Sequence, residues 1–362
     1  MNKHFFKEIK IKNVRGIDEA TLKDLSGVNL LLGGNNGGKT SVLEAISLLN
    51  CSDIYDFISA SLMRNGSNLF NGIANVRYLF KTHSDTLSVV GTRYEGEAIA
   101  LEAKYNVFKT IPNSVFAQAV GEKGYALTKN RLKKETDAIS LELTIDGKKK
   151  EACYSEPDFF AGAIKQDSKM GKKGGQYNIL YVSPCEHFFS FELLVSDILR
   201  SSDYKTLTIE LMKLIDPSVE DILINVDPSF GTPDVYIKTK GEDPVPISLF
   251  GDGAKKALIL ACYIAKAKGG LLLIDEIETS LHHSLYDDLF RFLVKASKHF
   301  GVQLFITTHS QEVIDCFLKA TEEEPKALKC YTIRKDEKGV SVRDLDHSEV
   351  QKYSELGIEV RD

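Results

Sequence analysis

Lys39, Thr40, Asp275, Glu276 and His309 are the residues of this sequence whose types and settings suit phosphoryl chemistry. Lys39 and Thr40 close the run Gly33-Gly34-Asn35-Asn36-Gly37-Gly38-Lys39-Thr40, which fits the phosphate-loop pattern G-x-x-x-x-G-K-[ST]. Glycines let successive backbone N–H groups curl around a polyphosphate, and a helix starting there turns its partial positive end toward the anion. Lys39 would bring a mobile cation to the β- and γ-phosphates of ATP, and the Thr40 hydroxyl would ligate Mg²⁺. Asn35, Asn36 and Ser41 complete the expected nucleotide contacts.

Far downstream, Leu271 to Ile274 is an apolar strand ending in Asp275-Glu276. Asp275 is expected to hold the same Mg²⁺, and Glu276 to polarise an attacking water. Two further motifs are less specific. Ser248-Leu249-Phe250-Gly251-Asp252-Gly253 opens a helix, a second anion-binding geometry, although Asp252 also suits a plain helix cap. Thr307-Thr308-His309-Ser310 stands at the carboxyl end of a strand, where ligand-contacting side chains gather in open α/β sheets. His309 there can sense a γ-phosphate, while Ser310 suits a helix cap.

These residues need elements to position them. A strand at Val28 to Leu32 and a helix at Ser41 to Leu49 flank the phosphate loop, with a second helix at Ser52 to Arg64. From Thr86 to Tyr154 the hydrophobic period becomes two, with an Asp146-Gly147 turn, which predicts an antiparallel sheet inserted into the fold. Phe188 to Ile215 reads as helical. From Val245 onward helices and strands alternate: helix Ala254 to Ala267, strand Leu271 to Asp275, helix Ser284 to His299, strand Gln303 to Thr307, helix Gln311 to Ala320. Such alternation implies a parallel sheet with helical crossovers. Two short strands around Lys338-Gly339 and a last helix end the chain. The expected organisation is therefore an α/β P-loop NTPase in four parts. Residues 1–85 carry the phosphate loop, 86–182 an antiparallel β insertion, 183–244 a helical and linker lobe, and 245–362 the rest of the nucleotide-binding core.

The chain has 362 residues, 43% hydrophobic and 27% charged, with a net charge of −5. Nothing in that balance demands a nucleic-acid or anionic-membrane partner. The longest apolar run, Ala257 to Ala265, falls far below the ~20 residues of a membrane span. The N-terminus lacks a signal-peptide pattern, and Cys51, Cys153, Cys185, Cys262, Cys316 and Cys330 show no metal-ligand spacing. A cytoplasmic protein with reduced thiols and no membrane contact is expected.

The order and wording of the motifs resemble the ABC-type head ATPases of the SMC, RecF and OLD group. Ile11-Lys12-Asn13-Val14-Arg15-Gly16-Ile17 looks like that group's first strand and turn. Short bacterial OLD-like ATPases are similar at Gly251-Asp252-Gly253-Ala254-Lys255-Lys256, at Leu273 to His282, and at Thr307-Thr308-His309-Ser310. The resemblance covers about residues 1–50 and 245–320. It implies head-to-tail dimers or higher oligomers in which ATP is sandwiched between one phosphate loop and the other subunit's signature loop. Ser248, Gly251, Asp252 and Gly253 would then act in trans, Ser280, Leu281 and His282 would form a D-loop, and His309 would be the switch histidine. Arg15 would contact nucleotide or serve as a solvated turn residue. A Q-loop glutamine is not identifiable, Gln166 and Gln176 both being poorly placed. There are no heptads for SMC arms. Too few residues follow His309 for the TOPRIM nuclease of full-length OLD proteins.

The implied function is an ATP-hydrolysing dimeric switch controlling a separately encoded effector, a nuclease or toxin, in bacterial antiphage defence. The alternative is a RecF-like repair ATPase that binds DNA, with Lys148-Lys149-Lys150 and Lys169, Lys172 and Lys173 as phosphate contacts. A small-molecule P-loop kinase is a third reading, against which the signature motif and switch histidine argue.

Overall fold

A computed structural model describes residues 6–61, 72–110, 136–155, 177–186, 191–226, 233–336 and 339–356. Gln166, Gln176, Lys169, Lys172 and Lys173 lie outside the described residues.

The centre is a six-stranded sheet whose order explains how distant motifs meet. Its strands are β3 (Val28–Leu32), β8 (Ile179–Val182), β12 (Leu271–Ile274), β13 (Gln303–Thr307), β14 (Leu328–Asp336) and β15 (Gly339–Leu345), in the order β15-β14-β3-β13-β12-β8. All neighbours are parallel except β14 and β15, which form an antiparallel hairpin. The phosphate-loop strand β3 and the acidic strand β12 thus flank β13, and all three present their carboxyl ends to one edge. Continuous apolar runs suit this position, because parallel strands are covered on both faces. Leu30, Leu32, Leu272, Ile274, Leu304 and Ile306 face one core, while Leu31, Leu271, Leu273 and Phe305 face another.

The second core lies between this sheet and a six-stranded antiparallel sheet. That sheet is built from β1 (Phe6–Val14), β2 (Ile17–Leu22), β4 (Thr86–Arg93), β5 (Ala98–Thr110), β6 (Thr136–Ile145) and β7 (Lys148–Ser155), in the order β2-β1-β4-β5-β6-β7. The period-two segments do form antiparallel strands, but they are continuous with the N-terminal hairpin through β1–β4 pairing. Helix α1 (Lys39–Leu48) is held between the two sheets, buried along nearly its whole length. An all-round buried helix needs no amphipathic stripe. Helices α2 (Ile54–Ser61) and α3 (Gly72–Arg77) follow it, α2 packing on α1.

The first core lies under the opposite face of the parallel sheet. It gathers α4 (Glu192–Leu199), α5 (Ser202–Ile215), α6 (Asp252–Lys266), α7 (Tyr286–Phe300), α8 (Gln311–Ala320) and α9 (His347–Glu355). In the stretch read as helical from Phe188 to Ile215, the described residues hold two helices, broken at Arg200–Ser201. The segment read as helical and linker also holds a small antiparallel sheet of β9 (Val219–Val226), β10 (Pro233–Thr239) and β11 (Val245–Pro246), not foreseen from the sequence. Val219, Ile222, Val235, Ile237 and Thr239 are its buried positions, too few apolar ones to give a sustained alternation. Cys51, Cys262, Cys316 and Cys330 are buried, and Cys153 and Cys185 are exposed; all six are free thiols. Among the described residues no helix is long and apolar enough to cross a membrane.

Candidate functional site

The phosphate loop leaves β3 and runs along the end of β14. A Cβ on Gly33 would stand 2.3 Å from the Ile333 carbonyl oxygen, so only glycine lets the backbones approach this closely. The loop turns on a Gly37 N–H to Gly34 carbonyl bond and enters α1 at Gly38. Asn36 holds a left-handed φ of 62°. Lys39 is buried, its Nζ donating to the carbonyls of Gly33 (2.7 Å) and Gly34 (2.9 Å). The ammonium is thus held over the crest of its own loop. Helix α1 begins at Lys39, two residues earlier than the apolar pattern indicated, because the loop itself supplies the first turn.

The acidic strand meets this loop directly. Thr40 Oγ1 donates to Asp275 Oδ1 at 3.2 Å. Thr307 Oγ1, at the end of the intervening β13, donates to the same oxygen at 2.6 Å, and the Tyr181 hydroxyl donates to Oδ2 at 3.0 Å. Asp275 is buried. Its neighbour Glu276 sits in the left-handed region at φ 46°, with its N–H donating to Thr307 Oγ1 at 2.7 Å. A non-glycine residue held there carries backbone strain of ~1–3 kcal/mol, a state that tends to occur at functional sites. Thr307 therefore organises both acidic residues, and Tyr181 fixes the outer face of Asp275. Thr307 opens the motif Thr307-Thr308-His309-Ser310, but its bonds to both acidic residues were not foreseen, and Tyr181 carries no motif.

His309 follows on β13. Its Nδ1 lies 2.9 Å from Glu278 Oε1, which also accepts from the His309 backbone N–H at 2.8 Å and from Thr308 Oγ1 at 2.9 Å. Glu278 too was passed over as a site residue in the sequence, although the spacing Asp275-x-x-Glu278 was visible. Ser310 caps α8, its side chain accepting from the Val313 N–H.

The second glycine-flanked motif lies elsewhere in the same chain. Ser248 is in a 3-10 turn, Ile247–Phe250, and Gly251 precedes α6. Asp252 is the first helical residue and its side chain makes no capping bond, so the plain-cap reading does not hold. A Cβ on Gly253 would meet the Ser280 carbonyl oxygen at 3.4 Å and Leu285 at 3.9 Å. Within one subunit the signature motif thus abuts the segment after Asp275-Glu276, not the glycines of the phosphate loop. Arg15 holds a left-handed φ of 55° and grips Glu44 of α1 through Nε and Nη2, both at 3.2 Å, while Nη1 donates to the Tyr78 carbonyl. The solvated-turn role does not fit this packing: Arg15 ties the β1–β2 turn to α1. At the carboxyl end of β8 stand Tyr181 and Ser183.

Hard oxygen donors at Thr40 and Asp275, only 3.2 Å apart, fit a small divalent cation that keeps water and phosphate oxygens as its other ligands. Among the described residues no cluster of three or more His, Cys, Asp or Glu could hold a metal ion by itself.

Comparison with known proteins places the chain. Residues 121–315 match the family model described as "AAA domain, putative AbiEii toxin, Type IV TA system", more than half of the sequence. The chain belongs to this AAA-domain family. The matched region takes in the signature motif, the acidic strand and His309, and leaves the phosphate loop outside. An "ATP/GTP phosphatase" of Helicobacter pylori is 22% identical over 96% of the chain and 97% of its own length. The "DNA replication and repair protein RecF" of Shewanella pealeana is 25% identical over 52% of each chain. Among solved structures, an SMC head bound to the C-winged helix domain of ScpA aligns with a TM-score of 0.54 at 14% identity, covering 96% of this chain and 99% of that one. The Pyrococcus furiosus SMC head, bound to the C-terminal domain of ScpA, aligns at 0.51 and 12% identity, covering 97% and 99%. The fold of this AAA-domain protein is that of an SMC-type ABC-ATPase head.

Proposed function

We propose that this protein binds ATP with Mg²⁺ at the phosphate loop and hydrolyses it as a dimeric switch. The observation that carries the reading is the meeting of Thr40, Asp275, Thr307 and Glu276 at one sheet edge. Gly33 to Thr40, with Ser41, cradle the triphosphate, and Lys39 moves from its own loop carbonyls to the β/γ-phosphates. Thr40 and Asp275 hold the cation, which neutralises developing charge on the phosphates. Glu276 takes up the proton of the attacking water, and His309 completes the site. Ser248, Gly251, Asp252 and Gly253 close it from a second subunit. The relative named as an ATP/GTP phosphatase supports hydrolysis.

The switch controls a separately encoded effector, as in the OLD-like proteins that the motifs resemble. The family's description in terms of a toxin and a toxin–antitoxin system supports an effector of that kind. A RecF-like role in DNA repair has the partial RecF similarity in its favour. The described basic run weakens it. Lys149 is paired with Glu142 and Glu151, and Lys150 donates to the Ser52 carbonyl.

The decisive experiment is phosphate release by the purified protein with ATP and Mg²⁺, alongside light scattering of the Glu276→Gln variant with ATP. Turnover by the wild type and an ATP-dependent dimer of the variant are expected. A wild-type protein that neither binds ATP nor releases phosphate overturns the reading.

A further inference from the structure

A buried charged group beside the site is incompletely satisfied. Glu278 Oε1 accepts from the Thr308 hydroxyl and the His309 backbone N–H and lies 2.9 Å from His309 Nδ1, yet its Oε2 is buried with no hydrogen-bond partner among the described residues. A group of this kind in a packed interior calls for an explanation.

We propose that Glu278 is the positioning residue for His309, holding the ring in its Nδ1–H form. This rests on the reading above, in which His309 faces the reacting phosphate. The Thr308 hydroxyl and the His309 backbone N–H both donate to Glu278 Oε1, so that oxygen acts as an acceptor. Its third contact, with Nδ1 at 2.9 Å, is then an N–H donation from the ring. A neutral ring held this way carries its lone pair on Nε2 and presents an acceptor, suited to a hydrogen of the attacking water. Because one carboxylate grips both the backbone and the ring of His309, rotation of that ring is restrained as well.

The test reads the tautomer of His309 by ¹⁵N shifts in histidine-labelled protein without nucleotide, the signal being identified among the eight histidines by its loss in His309→Asn. The wild type is expected in the Nδ1–H form. Glu278→Ala should shift His309 toward Nε2–H and lower kcat roughly 10- to 100-fold, the effect of a misplaced catalytic group, with KM for ATP within about twofold. If Glu278→Ala does not fold, Glu278→Asp withdraws the carboxylate by one methylene and should show the same shift. An unchanged His309 tautomer in the Glu278 variants overturns the proposal. The tautomer is read without turnover, so absence of hydrolysis in the wild type would count against the proposed function alone.

Discussion

Thr40 Oγ1 lies 3.2 Å from Asp275 Oδ1 although 235 residues separate them. The contact follows from the strand order: β13 separates β3 from β12, and Thr307 at its end bonds the same Asp275 oxygen at 2.6 Å. A cation shared by Thr40 and Asp275 would replace one hydrogen bond with two metal–oxygen bonds. Loss of either side chain should therefore weaken Mg²⁺-dependent nucleotide binding more than Mg²⁺-independent binding.

Lys39→Ala should abolish ATP binding. The Nζ is buried against Gly33 and Gly34 carbonyls, poised at the centre of the loop, and the loop has no second lysine or arginine. Calorimetric titration of ATP should show affinity reduced by well over tenfold, a change of more than ~1.4 kcal/mol. Affinity within about twofold of wild type would refute the role given to Lys39.

Glu276→Gln should retain ATP and slow hydrolysis by at least ~10²-fold, the low end for losing a general base. The side chains are nearly isosteric. The backbone N–H of residue 276 would still donate to Thr307 Oγ1, so the left-handed turn and the Asp275 setting should persist. Single-turnover phosphate release measures this directly. Unchanged turnover would mean that another group, such as His309, orients the water.

Gly270→Ala should destabilise the fold without touching the site chemistry. A Cβ at Gly270 would stand 1.9 Å from the Asn178 carbonyl oxygen, where Asn178 leads into β8 and the Leu271 N–H bonds the same carbonyl. Backbone must move to admit the methyl group, an overpacking cost of ~1–3 kcal/mol. Thermal or urea unfolding should show it. Wild-type stability would mean that β8 and β12 can separate at that end.

The sequence was legible where local chemistry is specific and opaque where roles arise from packing. Gly33 to Thr40, the strand ending at Ile274 and the helix at Gln311–Ala320 were readable, because glycine spacing, continuous apolar runs and caps are local signals. Tyr181 was not, nor were the bonds that Thr307 makes to the acidic pair, because these come from strand order, which brings β8, β12 and β13 together. Glu278 was hidden for a related reason. Its partners Thr308 and His309 lie 30 and 31 residues on, on another strand's exit, and no pattern in the chain pairs them. The small sheet of β9 to β11 was missed because few of its side chains are buried. The solvated-turn role expected of Arg15 failed because its partner Glu44 is concealed in a largely buried helix.

Hydrolysis should require two subunits. In a single chain Gly253 packs against the Ser280 backbone and Leu285, and the phosphate loop is lined on one side by Ile333 of β14. A phosphate loop covers only one side of a triphosphate, and a water-excluding lid must come from elsewhere. The start of α6, with Gly251 and Gly253 around Asp252, offers backbone N–H groups at a helix N-terminus, the geometry that takes an anion. Specific activity should therefore rise with protein concentration until dimers saturate. Lys39→Ala spoils the loop side of each seam and Gly253→Glu the signature side, so either variant alone should be inactive. A heterodimer of the two retains one seam with both sides intact, and mixing should restore activity approaching a quarter of wild type, given random pairing and two independent sites. The Gly253 position tolerates the test, since its nearest neighbours would lie at ordinary contact distances from an added Cβ. A mixture that stays inactive while both variants still dimerise would show that the site is completed within one chain, and would return the phosphate-transfer reading to consideration.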